Sequence, residues 1–171
     1  WPELLTRYDV CDVAGDFLIL ERATTSRTYA LVPVGEHTLR MGDELVLPPQ
    51  DEGPLWARIE HHPSLRYRLL NVLYKPPQMN ILVTTEDGRQ ASYRLVPAMG
   101  RVGFLLSPLI DSVGAFAAFS TPRWRELLRD SEVTRIRIFP DPYDHPSYFG
   151  QTATVSLFRL DFPRQEAVAS E

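Results

Sequence analysis

Short runs of alternating apolar and polar residues, each closed by proline, glycine or an Asp-Gly pair, cover most of this chain. Leu55 to Glu60 alternates with a period of two, and Met79 to Thr85 leads into the hairpin signal Asp87-Gly88. Fifteen prolines are spread along the 171 residues and do not form a linker. Because this alternation is typical of strands and proline ends them, the pattern predicts nine or ten short strands.

Helix signals are confined to a short stretch late in the chain. Asp111 to Phe119 is one candidate, capped by Asp111 or Ser112, and Thr121-Pro122 opens a second. In the second helix we expect Thr121 as the N-cap, with Leu127 and Leu128 facing inward. Strands and helices do not alternate, which argues against a parallel α/β sheet. We therefore predict a mostly β fold, a jelly-roll-like antiparallel β-sandwich with one or two short helices inserted near residues 111–130.

Length and charge define the domain and exclude two classes of protein. The size predicts a single domain over residues 1–162 followed by a frayed tail at 163–171. Lysine and arginine number 18 against 22 acidic residues, a net charge of −4, so binding to nucleic acid through bulk charge is excluded. No apolar run approaches the roughly 20 residues that cross a bilayer.

Catalytic signatures and a disulfide framework are absent from the sequence. The single Cys11 cannot form an internal disulfide, and its place in an apolar alternation predicts a small buried side chain. Ser107 lacks the flanking glycines of a nucleophile elbow. We expect no enzymatic activity from this domain. Because the chain begins with Trp1 instead of methionine, it is expected to be a piece of a longer or processed protein.

From Gly53 to Phe139, turns and strands follow one another in a recognisable order. The motifs are Gly53-Pro54-Leu55-Trp56, Lys75-Pro76-Pro77, Asp87-Gly88, Tyr93-Arg94-Leu95-Val96-Pro97, Gly103 to Ile110 and Val133 to Phe139. This order resembles the extracytoplasmic, carbohydrate-binding-module-like β-sandwich domains of bacterial polytopic membrane proteins, including ones similar to membrane-embedded glycosyltransferases. The resemblance covers about half of the chain. It implies a membrane-tethered parent and a periplasmic or cell-surface location, and it carries over no catalytic residue.

Aromatic residues beside charges are the candidate ligand-binding residues. Sugars present flat C–H faces to aromatic rings while flanking polar groups bind their hydroxyls. The alternation around Trp56 places Leu55, Ala57 and Ile59 on the core side, which predicts an exposed Trp56. The same aromatics are also typical of a sandwich core or of a surface that contacts another domain. The candidate ligand-binding set is Trp56, Arg58, Tyr67, Trp124 and Tyr143.

The loop Asp141-Pro142-Tyr143-Asp144-His145-Pro146 is the candidate metal site. Crowded carboxylate oxygens are ligands for Ca²⁺, which would be held by Asp141 and Asp144. The same residues are typical turn formers, so a tight turn is the alternative. His61 and His62 are adjacent on a strand and point to opposite faces, so they predict a polar strand end and no shared metal.

Two functions follow from these observations. The first is a noncatalytic recognition module that binds a glycan or a lipid-linked sugar for a membrane-bound parent. The second is an interaction domain that packs on its own transmembrane part or on a partner protein. An aromatic shelf with convergent polar groups would favour the first, and a flat apolar patch would favour the second.

Overall fold

The computed structural model describes residues 2–62, 78–141 and 151–162, and the frayed tail predicted at 163–171 lies outside them. The described part contains ten strands, four short α-helices and a 3-10 helix over Arg129–Ser131. The strands are β1 (Tyr8–Ala14), β2 (Phe17–Arg22), β3 (Ala30–Arg40), β4 (Glu44–Val46), β5 (Leu55–His62), β6 (Gln78–Thr85), β7 (Gln90–Leu95), β8 (Phe104–Ser107), β9 (Val133–Asp141) and β10 (Thr152–Asp161). The helices are α1 (Pro2–Arg7), α2 (Pro97–Val102), α3 (Val113–Phe119) and α4 (Trp124–Leu127).

Eight of the strands form two antiparallel four-stranded sheets, and β1 and β2 form a separate hairpin. One sheet has the order β3-β10-β5-β8 and the other β4-β9-β6-β7. The pairs are nested, with β3 beside β10, β4 beside β9, β5 beside β8 and β6 beside β7. The prediction of a mostly β sandwich is confirmed, and the nested pairing is compatible with its jelly-roll-like detail.

The inner faces of the two sheets supply the core. Alternate residues along β6, β9 and β10 are buried, as period-two strands with one core face require. Ala57, Val133 and Val155 have no exposed surface at all. The other core residues are Leu45, Leu47, Leu55, Ile59, Met79, Ile81, Val83, Leu95, Leu106, Ile136, Ile138, Ala153 and Leu157.

The Asp87-Gly88 signal forms the turn between β6 and β7, as predicted. Gly88 has a φ of 82°, a conformation that side chains other than glycine rarely adopt. The Asp87 carboxylate accepts from the Thr85 hydroxyl at 2.5 Å and from the Arg89 backbone N–H at 3.0 Å. These hydrogen bonds lower the pKa of Asp87, because both stabilise its ionised form.

A buried polar network joins the loop after β4 to both sheets. Ser107 has no exposed surface, and its hydroxyl donates to the Gln50 side-chain carbonyl. The same hydroxyl accepts from the Val133 backbone N–H at 2.8 Å, and the Gln50 amide donates to the Val133 carbonyl at 2.8 Å. These contacts satisfy the buried Ser107 hydroxyl both as a donor and as an acceptor.

Helix capping agrees only in part with the sequence prediction. Ser112 caps α3 and accepts from the Ala115 N–H at 3.1 Å, as one of the two predicted caps. Thr121 is not the N-cap of the next helix, because α4 begins at Trp124 and the Thr121 hydroxyl donates to the Ala118 carbonyl. Leu128 is buried as predicted. Leu127 is 54% exposed, so the prediction that it faces inward is wrong. The helix starts at Trp124, two residues later than the predicted first helical residue Pro122.

Helix α2 was not predicted, because Pro97 was interpreted only as the end of a strand. Pro97 is instead the first residue of α2, a position that tolerates its missing N–H. Gly100 lets this helix approach β5, since a Cβ there would lie 2.9 Å from the Ile59 carbonyl oxygen. Helix α2 thus lies along β5 next to the short partner strand β8.

Candidate functional site

A cleft of about 640 Å³ lies between the β1–β2 hairpin and helices α3 and α4, and we call it the aromatic cleft. Five aromatic residues from four separate parts of the chain line it. They are Tyr8, Phe116, Phe119, Trp124 and Phe162. The volume falls within the range of about 300–1,000 Å³ that is common for ligand pockets. Phe116 and Phe119 are buried, whereas Tyr8 is 40% exposed and open to solvent.

Backbone hydrogen bonds join the segment that follows the β1–β2 hairpin to the helix that precedes it. Gly15 turns the chain between β1 and β2 with a φ of 59°. The Ala23 N–H donates to the Arg7 carbonyl at 2.8 Å, and the Arg27 N–H donates to the Thr6 carbonyl at 2.9 Å. These bonds connect the segment after β2 to the last two residues of α1.

The ion pair between Arg27 and Asp9 supplies charged groups to the aromatic cleft. The Arg27 guanidinium lies 2.7 Å from the Asp9 carboxylate, and it also donates to the Tyr8 carbonyl at 2.7 Å. Both side chains are partly exposed, at 39% for Arg27 and 53% for Asp9. Asp12 lies on the same wall. The cleft therefore combines aromatic rings with donors and acceptors that are open to solvent.

Trp124 is held in place from two sides. Its ring lies 5.5 Å from the Phe119 ring at an interplanar angle of 59°, and the Arg125 guanidinium lies over it at 5.3 Å. Neighbouring Arg123 pairs with Glu126 at 2.8 Å. Such tilted aromatic and cation–π contacts fix the orientation of a ring. Of the predicted ligand-binding residues that the structure describes, Trp56, Arg58 and Trp124, it places Trp124 in the aromatic cleft.

Cys11 also lines this cleft and is exposed, so the prediction of a buried side chain is wrong. The physical reason is a β-bulge: Val10 pairs with Leu20 and Asp12 with Ile19, which leaves Cys11 as the extra residue. Partial desolvation and the Glu21 carboxylate raise the pKa of its thiol, because both disfavour the thiolate. A thiol with a raised pKa holds less thiolate at neutral pH and is therefore less nucleophilic.

Trp56 is only 3% exposed, so its predicted exposure is wrong. It lies outside the main core, whereas Leu55, Ala57 and Ile59 lie within it, as the alternation predicted. The segment from α2 to β8 covers the indole, since a Cβ on Gly103 would lie 2.1 Å from Trp56 Nε1. The covering segment follows a helix that the sequence did not reveal.

The remaining predicted ligand-binding residues do not meet in one place. Arg58 is exposed on β5, where its guanidinium lies 4.9 Å over the Phe158 ring, and it does not line the aromatic cleft. Tyr67 and Tyr143 lie outside the described residues. The predicted set is thus not assembled into one site by the part of the chain that the structure describes.

The predicted calcium site can be followed only at one residue. Asp141 is the exposed last residue of β9 and pairs with Gln78, while Asp144 lies outside the described residues. Within residues 2–62, 78–141 and 151–162, no group of three or more His, Cys, Asp or Glu side chains is arranged to hold a metal. The calcium site stays a prediction.

The two adjacent histidines contact different partners on β10 and the residue before it. His61 hydrogen-bonds the Gln151 side chain, and His62 hydrogen-bonds the Thr154 hydroxyl at 2.8 Å. Burial lowers the pKa of His61, opposed by its bond to Gln151 and reinforced by the nearby His62. They act as a polar strand end, as predicted.

A second, charged cleft of about 590 Å³ lies beside the loop after β4. Asp51, Glu86 and Glu132 share it with Arg125 and Arg129. Partial burial, followed by the two neighbouring carboxylates, raises the pKa of Glu132. Because arginines balance the acidic groups, this cleft has no pronounced charge of one sign.

Sequence reasoning missed Tyr8, Asp9 and Arg27, the residues that give the aromatic cleft its open ring and its ion pair. Trp124 was found because charges flank it in the sequence. Tyr8 precedes Asp9 with the same pattern of an aromatic beside a charge, which is the signal that would have pointed to it. Their meeting with Trp124 depends on contacts between segments more than 90 residues apart, which local patterns do not show.

Comparisons with known proteins give no match: no family model, no curated protein and no solved structure is significantly similar to the chain. Among the described helices, none combines the length and the apolar character that crossing a bilayer requires. The aromatic cleft is therefore the candidate functional site of the described residues.

Proposed function

We propose that this domain is a noncatalytic recognition module that binds a glycan, or the sugar part of a lipid-linked sugar, in the aromatic cleft. The observation that carries the proposal is the combination of an open Tyr8 ring, the fixed Trp124 ring and the Asp9–Arg27 ion pair in one cleft. Rings pack against the C–H faces of a sugar, and charged side chains form strong hydrogen bonds with its hydroxyls.

The proposal includes the setting that the resemblance implies. The domain would be carried by a longer bacterial membrane protein, on its periplasmic or cell-surface side. The parent would supply any enzymatic step, such as glycosyl transfer, and this domain would hold the sugar. What supports this setting is the order of turns and strands between Gly53 and Phe139.

A glycan array followed by calorimetry tests the function. Tyr8→Ala should weaken binding of the glycan found on the array at least tenfold, because it removes the open ring of the cleft. Phe17→Ala is the matched control: Phe17 lies on the same hairpin, is 76% exposed and does not line the cleft. The proposal fails if no glycan binds the unaltered chain, or if both variants bind it as tightly as the unaltered chain does.

The second candidate function is an interaction domain, and an exposed hairpin face favours it. Phe17 and Ile19 point to the same side of β2 and are 76% and 48% exposed. Such an apolar face suits contact with the protein's own transmembrane part or with a partner protein. Loss of partner capture in Phe17→Ser, with glycan binding intact, would support this second function.

A further inference from the structure

The hairpin of β1 and β2 stands apart from the two four-stranded sheets and has only two strands. A two-stranded hairpin is marginally stable on its own, and it is stabilised by packing against a helix or by gaining further strands. Helix α3 contacts both strands of this hairpin, yet Phe17 and Ile19 on one side of β2 remain 76% and 48% exposed. The hairpin therefore has apolar surface left for further strands to cover.

The outer edge of β2 is the place where another strand can add. In the described part of the chain, β2 forms backbone hydrogen bonds with β1 and with no other segment. The edge of β1 is protected by the bulge at Cys11 and by Arg27, whose guanidinium donates to the Tyr8 carbonyl at 2.7 Å. Proteins block exposed sheet edges with bulges, prolines and covering groups. Strand β2 contains neither a bulge nor a proline, so the N–H and C=O groups on its outer edge are an open template for pairing.

The segment Asp16 to Arg22 is complementary to itself in the antiparallel direction. Ile19 is the middle residue of this segment, so a two-fold axis at Ile19 pairs its whole length with the same segment of a second copy. The opposed residues are then Asp16 with Arg22, Phe17 with Glu21, Leu18 with Leu20, and Ile19 with Ile19. By symmetry the Asp16–Arg22 pair forms twice, once at each end. Opposite charges and apolar residues placed directly across two strands both stabilise strand pairing.

The two charges that this register pairs are available in the single chain. Asp16 and Arg22 are both exposed, and neither forms an ion pair within residues 2–62, 78–141 and 151–162. Asp9, by contrast, is already paired with Arg27 at 2.7 Å. Charge complementarity with exposed apolar residues between the charges therefore favours a second copy of this chain as the occupant of the β2 edge.

We propose that two copies of this chain associate through antiparallel pairing of their β2 strands, which joins the two hairpins into one four-stranded sheet. The same surface is used on both copies, so the association closes at the dimer. Main-chain hydrogen bonds hold the two strands together, and the Asp16–Arg22 pairs fix the register. This inference names a partner that neither proposed function includes, and it does not rest on glycan binding.

Analytical ultracentrifugation of the 171-residue chain, from about 1 µM to 1 mM, should show a reversible dimer. Arg22→Asp brings like charges together at both ends of the strand pair and should weaken dimerisation about tenfold or more, and so should Asp16→Arg. An equal mixture of these two variants should dimerise again, because every opposed charge then meets its opposite. Arg101→Asp is the matched control: Arg101 is exposed on α2 and has no ion pair in the described part of the chain, so this variant should dimerise like the unaltered chain.

Disulfide trapping locates the two-fold axis. In a Cys11→Ser background, Ile19→Cys should cross-link on oxidation, because opposed Cα atoms of antiparallel strands lie about 4.5–5.5 Å apart, within the range of a disulfide. Phe17→Cys is the matched control, on the same side of the same strand but about 13 Å along the strand from its counterpart. The proposal is overturned if the unaltered chain stays monomeric over the whole concentration range, if mixing the two charge variants does not restore the dimer, or if Phe17→Cys cross-links as readily as Ile19→Cys.

Discussion

Gly103→Ala should be strongly destabilising, because two independent effects act at this residue. Gly103 ends α2 with φ 99° and ψ 162°, a backbone region that is open almost only to glycine. Holding an alanine there costs about 1–3 kcal/mol. The new Cβ would also lie 2.1 Å from Trp56 Nε1 and 3.1 Å from the Ala57 carbonyl oxygen. Overpacking of this kind adds about 1–3 kcal/mol.

The expected loss in the free energy of unfolding is therefore about 2–6 kcal/mol, a large part of the 5–15 kcal/mol that is typical of a domain. Urea denaturation followed by tryptophan fluorescence measures it. Gly114→Ala is the matched control, because a Cβ there has nothing within 4 Å and the residue lies in α3. It should be neutral or stabilise the chain by up to about 1 kcal/mol. A Gly103→Ala variant within 0.5 kcal/mol of the unaltered chain would refute the packing of α2 and β8 on Trp56.

Further predictions concern the core, the turns and pH. Trp56→Ala should lower the free energy of unfolding by about 3–5 kcal/mol. A variant as stable as the unaltered chain would contradict the burial of Trp56. Ser107→Ala should lower the free energy of unfolding by about 1–3 kcal/mol, because the buried Val133 N–H loses its acceptor. An unchanged stability would argue against the hydrogen bonds of Ser107 with Gln50 and Val133. Gly88→Val should lower the free energy of unfolding by about 1–3 kcal/mol, because valine is strained at the positive φ of this residue. A variant as stable as the unaltered chain would show that the turn lies elsewhere. Folding lowers the pKa of His61 below its unfolded value of about 6.5. The contribution of His61 to the free energy of unfolding is therefore complete above about pH 6.5, and it is lost as the pH falls from there through the folded pKa. Urea denaturation at several pH values should show the free energy of unfolding falling over this range, and the fall should be smaller in His61→Gln than in the control His37→Gln. An equal fall in both variants would contradict the prediction.

The fold was largely predictable because its strands are local patterns. The alternation in Met79 to Thr85 and the Asp87-Gly88 turn depend only on neighbouring residues, and both are in the structure as predicted. Helix α2 was not predictable in the same way, because Pro97 is equally compatible with the end of a strand and the start of a helix. The choice depends on Gly100 packing against β5, which is a tertiary contact.

The candidate site was predictable only in its chemistry. Alternation correctly placed Trp56 on the opposite face from Leu55, but it cannot show what covers that face. The covering segment lies almost 50 residues later, at Gly103. Trp124 lines the aromatic cleft because the β1–β2 hairpin packs near α3 and α4. The spacing of residues along the sequence does not predict such a contact between distant segments.

A titration that observes the tryptophan indole N–H signals tests the central claim most directly. The chain has three tryptophans, Trp1, Trp56 and Trp124, and their ¹⁵N–¹H indole signals can be assigned with single phenylalanine variants. On addition of the oligosaccharide selected on the glycan array, the Trp124 signal should shift in a saturable way, while the signal of buried Trp56 stays in place. A glycan that binds without moving the Trp124 signal would contradict recognition in the aromatic cleft.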